Sequence, residues 1–286
     1  MNIKSIVSTA AVALALTAGG LHGQTIAAYG VANADNQGNG PDGDIILGFT
    51  NPTSPPSYAG TPSDLVFDIG PANNFYSTAF GGTLTAGTTY TVEGFTPSDV
   101  TSLFGGGAFT NNSILWGIVG GNGTAGGPAG NSAPNYTVWA ATPGAALQAS
   151  SAQANASSNI DSLTNPLSFY PASASGNAAF VPEASGFYNT ATNGGSAAAG
   201  TFGYFSSSIL GTLSTGGGTM ALYELIQPGS GSVTGVELGV FTLSASGLTF
   251  TAIPEPSMYA AILGVLTLGF VMIRRRMNSA KLSAIG

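Results

Sequence analysis

From Ser5 to Ile273 the chain contains neither lysine nor arginine, its five basic residues being Lys4, Arg274, Arg275, Arg276 and Lys281. The single histidine is His22. Between Gln24 and Ile253 eleven Asp and Glu residues face no basic side chain, so that stretch carries a formal charge of −11, eleven acids minus zero bases. It cannot form one internal salt bridge to Lys or Arg. A fold built there rests on apolar burial and hydrogen bonds, and its field repels phosphate backbones and anionic lipid. Nucleic acid is therefore not an expected partner. Only 6% of residues are charged, against about a quarter in ordinary soluble domains, and 43% are apolar, which separates the chain from charged disordered tails. There is no cysteine, so no disulfide supports the core.

A length of 286 residues suits one large β domain or two smaller ones. Gln24 to Thr251 reads as short β-prone runs separated by Gly, Asn, Ser and Pro clusters. The expected strands are Asp44–Phe49, Leu65–Ile69, Thr88–Val92, Ile114–Val119, Tyr136–Ala140, Phe202–Phe205, Met220–Ile226, Val236–Leu243 and Leu248–Ala252. The last two form the clearest hairpin, with Ser246-Gly247 at the turn. Two helices are expected. One opens at Thr96-Pro97-Ser98-Asp99, with a capping threonine, a first-turn proline and an acid three residues on, and stops at Gly105. The other opens at Thr142-Pro143 and runs through Ala145 to Ile160. The Gly/Asn/Ala-rich stretches Gly120–Asn131 and Asn189–Gly200 are expected as surface loops. The fold expectation is a mainly β domain over 24–252, an antiparallel β-sandwich or jelly-roll-like ectodomain with one or two short helices.

The two ends carry a different kind of information. Met1 to Lys4 is a short positive segment, Ile6 to Leu16 is apolar, and small residues lead to Leu21-His22-Gly23 before Gln24, the pattern of a cleavable signal peptide over 1–23. At the other end Pro254-Glu255-Pro256 precedes sixteen uncharged residues, Met258 to Ile273, and then Arg274, Arg275 and Arg276. As a helix, 258–273 is roughly 24 Å long, a little short of the hydrocarbon core, with Tyr259 and the arginines able to cover the difference. A core helix would show a polar face, and this segment has none. The expectation is a transmembrane helix with its arginines on the cytoplasmic side and the body across the membrane.

The order Pro254-Glu255-Pro256, apolar helix, Arg274 to Arg276 resembles the PEP-CTERM sorting tail over 253–286. The resemblance implies an exported protein of a Gram-negative-type bacterium. It implies recognition and cleavage near Pro254–Pro256 by a membrane-embedded exosortase, the helix holding the precursor in the inner membrane until then. Pro254 and Pro256 lack backbone N–H groups and favour an extended chain, which suits presentation to such an enzyme. The ten-residue tail Met277–Gly286 after the arginines departs from the pattern.

The body lacks the usual instruments of catalysis. A nucleophile–base triad needs a base near neutral pKa, zinc wants His or Cys, and cationic clamps need Lys or Arg. No catalytic, cofactor or metal residue is assigned. Carboxylate chemistry survives by inventory, since a glycosidase needs two acids. Asp64 and Asp68 share a strand face, and Glu93, Glu183, Glu224 and Glu237 are scattered. Asp64 and Asp68 are read as solvated strand-end acids, and Trp116 and Trp139 as core residues. Gly121-Asn122-Gly123-Thr124-Ala125-Gly126 matches a dinucleotide fingerprint, but Gly127-Pro128 stands where a helix must begin. The cluster Asp35 to Asp44 resembles half of a calcium loop, with Gln37 at the third position and Ile46 at the twelfth, and is read as a solvated turn. The functional expectation is a non-enzymatic surface or matrix protein with extracellular polysaccharide as its candidate partner. A carboxylate-dependent polysaccharide-active enzyme and a calcium-assisted adhesin are the alternatives.

Overall fold

The computed structural model describes residues 25–26, 43–52, 62–78, 82–122, 136–161, 163, 178–182, 186–192, 195, 198, 200–213, 217–253 and 267. The signal segment 1–23, Asp35 to Asp42, Gly123–Gly127 and, apart from Thr267, the tail 254–286 lie outside them. Among the described residues no helix is long and apolar enough to cross a membrane.

Thirteen strands are found among the described residues: β1 (Thr25–Ile26), β2 (Asp44–Thr50), β3 (Pro62–Pro71), β4 (Thr89–Val92), β5 (Leu115–Gly121), β6 (Val138–Thr142), β7 (Gln148–Ser150), β8 (Ala178–Pro182), β9 (Gly211–Thr212), β10 (Gly217–Leu225), β11 (Ser232–Thr234), β12 (Val236–Ser244) and β13 (Gly247–Ala252). Three helices accompany them, α1 (Pro97–Phe104), α2 (Ala154–Asp161) and α3 (Phe187–Ala191). The fold is mainly β, as the spacing of the apolar runs requires. One curled sheet runs in the order β1-β4-β13-β12-β10-β6-β5-β2-β3-β8, with β9 beside β5, and β7 and β11 form a separate ribbon. Every pairing is antiparallel except that of β1 with β4.

Alternation along the strands sorts side chains to two faces. Ile45, Leu47 and Phe49 of β2, Leu65, Phe67 and Ile69 of β3, Trp116 and Ile118 of β5, and Met220 and Leu222 of β10 join Phe241 and Phe250 in one buried core. Because that core unites strands from both ends of the sheet, it fills the inside of the curl. Phe75, in the 3-10 turn Ala72–Phe75, packs its ring 5.3 Å from Phe241 and 5.2 Å from Phe250, and Phe95 packs 5.8 Å from Phe49 and 5.2 Å from Phe67. Such ring pairs add about 1 kcal/mol each beyond their burial. The remaining apolar residues, Ile46, Val66, Val119, Val138, Ala140 and Val181, face outward into a second core with Phe187, Phe202 and Ile209. Gly48 and Gly117 are opposite one another on β2 and β5, and a methyl on Gly48 would overlap the Phe187 ring. This glycine pair is the flat seat that lets α3 lie close against the sheet.

Several expectations change. Phe202–Phe205 is a tight turn and not a strand: Phe202 has φ 51°, and the N–H groups of Tyr204 and Phe205 both donate to the Thr201 carbonyl. Its aromatics are β-prone by type, but Phe202 and Phe205 are buried, and Tyr204 half-buried, as part of the cover over the outer core. The expected helix from Thr142 to Ile160 is confined to α2, because β6 runs to Thr142 and β7 occupies Gln148–Ser150. Asn189–Ala191 belongs to α3, with Ala191, Thr192 and Gly200 buried, so that part of the expected loop is packed against the outer core. Gly120 and Gly121 likewise end β5 in the interior. Helix α1 forms at its expected place with Thr96 at the N-cap, though Thr96 makes no side-chain capping bond.

Candidate functional site

Both ends of the described body meet at β4. Thr25 of β1 is in register with Thr91, running parallel to β4, while Thr249 and Thr251 of β13 pair antiparallel with Thr91 and Thr89. The chain therefore enters β1 and leaves β13 at the same end of β4. One strand lies between them, about 10 Å across at the usual strand spacing. The exit is held to its last residue: Ala252 N–H donates to the Thr88 carbonyl at 3.2 Å, and Ile253 N–H donates to the Leu238 carbonyl at 3.3 Å. Pro254, the first residue of the Pro-Glu-Pro segment, follows immediately in the sequence. Pro254, Glu255, Pro256, Arg274, Arg275 and Arg276 themselves lie outside the described residues.

The acids do not behave as the sequence suggested. Asp64 and Asp68 do share a face, but they are 0% and 1% exposed. β3 lies between β2 and β8 with its outward face covered, so neither is a solvated strand end. Asp64 Oδ2 accepts the Tyr188 N–H at 2.7 Å, in the first turn of α3. Asp68 accepts the Gly70 N–H at 2.8 Å and is hydrogen-bonded to Asp44, which is also buried. A bond between two carboxyl groups needs a proton on one of them. Burial pushes the Asp68 carboxyl up to about 6, and the bonds from Gly70 and Asp44 only partly oppose the rise.

A second polar group lies on the inner face. Trp139 Nε1–H donates to Tyr76 Oη at 2.9 Å, and the Tyr76 hydroxyl donates in turn to Glu224, which sits opposite Trp139 in the β10–β6 register. Burial raises Glu224 and the bond from Tyr76 opposes this, while burial and then the Glu224 charge raise Tyr76. The arrangement is a donor chain ending on a carboxylate, which satisfies a buried indole. Glu237 belongs to the other face, where Tyr223 Oη donates to it at 3.5 Å and where burial, then Glu237, raise the tyrosine. Asp64, Asp68 and Glu237 thus face outward and Glu224 faces inward.

Trp116 and Trp139 are each 1% exposed and belong to the inner core, as expected. In the glycine-rich fingerprint, Gly121 ends β5 and Asn122 N–H donates to the Thr137 carbonyl. Of the cluster Asp35 to Asp44 only Gly43 and Asp44 are described, and Asp44 opens β2. Among the described residues no group of three or more His, Cys, Asp or Glu is placed to hold a metal ion. Sequence reasoning missed the Asp44–Asp68 pair and the Tyr76–Glu224 bond. Their signal was the alternation that puts each acid in line with buried apolar neighbours. No protein-family model matches the chain, and no characterised protein or solved structure is similar to it.

Proposed function

We propose that this is an exported surface or extracellular-matrix protein, delivered by the signal peptide 1–23 and sorted by an exosortase through the PEP-CTERM-like tail 253–286. The body, 24–252, serves as a non-enzymatic structural or binding module whose partner is extracellular polysaccharide. The observation that carries the reading is the convergence of the chain ends on β4. A precursor held in one bilayer by both an N-terminal and a C-terminal apolar segment needs a body whose ends leave on one side. The charge pattern asks for the same orientation, with Lys4 and Arg274 to Arg276 on the cytoplasmic side. The finer architecture belongs to this proposal too: the two halves of the curled sheet face one another across the phenylalanine-rich core in the manner of a sandwich or jelly roll.

The test is the intact mass of the surface form, from cells carrying the natural chain and from cells carrying Pro254→Ala, Glu255→Ala and Pro256→Ala together. The natural form should lack roughly the first 23 residues and everything from Met258 onward. The triple variant should keep Met258 to Gly286 and stay in the membrane. If both forms retain the tail, the helix is a permanent anchor and the sorting reading falls.

A further inference from the structure

The β7–β11 ribbon and the segment around Tyr204 enclose a cleft of about 570 Å³, within the range of small-ligand pockets. Alternation decides its chemistry. Ser150 is opposite Ser232 and Gln148 opposite Thr234 on one face of the ribbon, with Ala149 opposite Val233 on the other. The polar face is the one that lines the cleft, through Gln148, Ser150 and Ser232, while Tyr204, Ser206 and Ser207 line it from the other segment. Tyr204 Oη donates to the Gln148 carbonyl at 2.7 Å, which ties the two walls together.

The side chains of Gln148, Ser206, Ser207 and Ser232 are exposed and make no hydrogen bond among the described residues. Four uncommitted neutral groups therefore surround one cleft, offering both donors and acceptors. No Asp, Glu, Lys, Arg or His lines it. A ligand held there gains nothing from ion pairing, and an anionic ligand is opposed by a body of formal charge −11.

We propose that this cleft is a binding site for a short stretch of neutral oligosaccharide, whose dense hydroxyl groups match the serine hydroxyls and the Gln148 amide. The inference deepens the polysaccharide partnership and rests on that reading for where the protein meets its ligand. Binding is measured on the full, unprocessed chain in a sugar-free zwitterionic detergent with a chelator present, by titration calorimetry against dextran, laminarin and galactomannan, and against alginate as the anionic counterpart. At least one neutral glycan should bind, with alginate about tenfold weaker or worse. The combined variant Ser206→Ala, Ser207→Ala and Ser232→Ala should lose about tenfold in affinity with an unchanged melting temperature, because all three residues are exposed. Absence of binding to all three neutral glycans, equal affinity in the triple variant, or alginate binding as tightly as the best neutral glycan each overturns the proposal. Because the unprocessed chain is used, a negative result here leaves the sorting reading intact, and failure of tail cleavage in cells leaves this one intact.

Discussion

The inner and outer faces of the curled sheet are packed by different means. The inner face is filled by large side chains at regular alternate positions, so that Phe49, Phe67, Phe241 and Phe250 come from four different strands to meet Phe75 and Phe95. The outer face instead has a small patch, Gly48, Gly117 and Ala140, and is filled by rings brought from outside the sheet, Phe187 of α3 and Phe202 of the turn after it. It also holds the buried acids Asp44, Asp64 and Asp68. A face made by strand alternation needs no special loop, and its one polar chain, Trp139–Tyr76–Glu224, is satisfied by its own hydrogen bonds. A face finished by loops depends on the seat those loops dock into.

The largest expected effect tests the inner face. Phe241→Ala leaves a cavity between Phe75 and Phe250 and should cost about 4 kcal/mol, read by denaturant unfolding of the full chain in detergent. A cost below about 1 kcal/mol would mean that the inner core does not carry the fold. Gly48→Ala tests the seat on the outer face. Its methyl meets the Phe187 ring, so it should cost about 2 kcal/mol by overpacking and speed amide exchange at Tyr188 and Thr192 while leaving Phe241 protected. Equal acceleration at Phe241 would show that the two faces open as one unit and erase the distinction.

An effect of similar size to that at Gly48 concerns pH. Asp68 is held near 6 against an ordinary value of 3.8, so the fold favours its neutral form. That contribution is complete below about 3.8, declines as pH rises through about 6, and is absent above it. Glu224, also raised by burial, acts in the same direction. No salt bridge to Lys or Arg exists in the body to be lost on acidification. Stability should therefore be greater at pH 4.5 than at pH 7.5, by on the order of 2 kcal/mol, and Asp68→Asn should flatten most of the difference. A fold that instead weakens steadily from pH 7.5 to pH 4.5 would place the controlling charges elsewhere than on the outer-face acids.

The same contrast explains what could be read from the chain beforehand. Strands β2, β3, β5, β10, β12 and β13 were legible because each is a short run rich in β-prone apolar residues set between Gly, Asn, Ser or Pro clusters. The outer cover was not. Phe202–Phe205 has the composition of a strand, and only its left-handed Phe202 and the bonds back to Thr201 make it a turn. β8 (Ala178–Pro182) is too short and alanine-rich to announce itself, and α3 owes its place to Asp64 and to the glycine seat, both remote in sequence. Asp64 and Asp68 looked solvated because a charged residue is usually exposed. The parallel contact of β1 with β4 joins residues far apart along the chain, so the meeting of the ends could not be read from either terminus. The resemblance of 253–286 to a sorting tail, by contrast, rests on residue order alone and lies outside the described residues.

That meeting of the ends has a consequence for freedom of movement. Under the proposed export route, a precursor with both terminal segments in the bilayer would have its body held at two points, Thr25 and Ile253, on either side of β4, which would restrain its rotation about the membrane normal as well as its distance from the surface. On that proposal, loss of the N-terminal segment would leave a single pivot at Ile253, around which the body could swivel and sample neighbours in every azimuth. Removing the C-terminal segment first would leave the pivot at Thr25, on a two-residue strand at the rim of the sheet rather than on β13 between two neighbours. The order of the two proposed cuts would therefore decide which part of the sheet bears the tether in the interval between them.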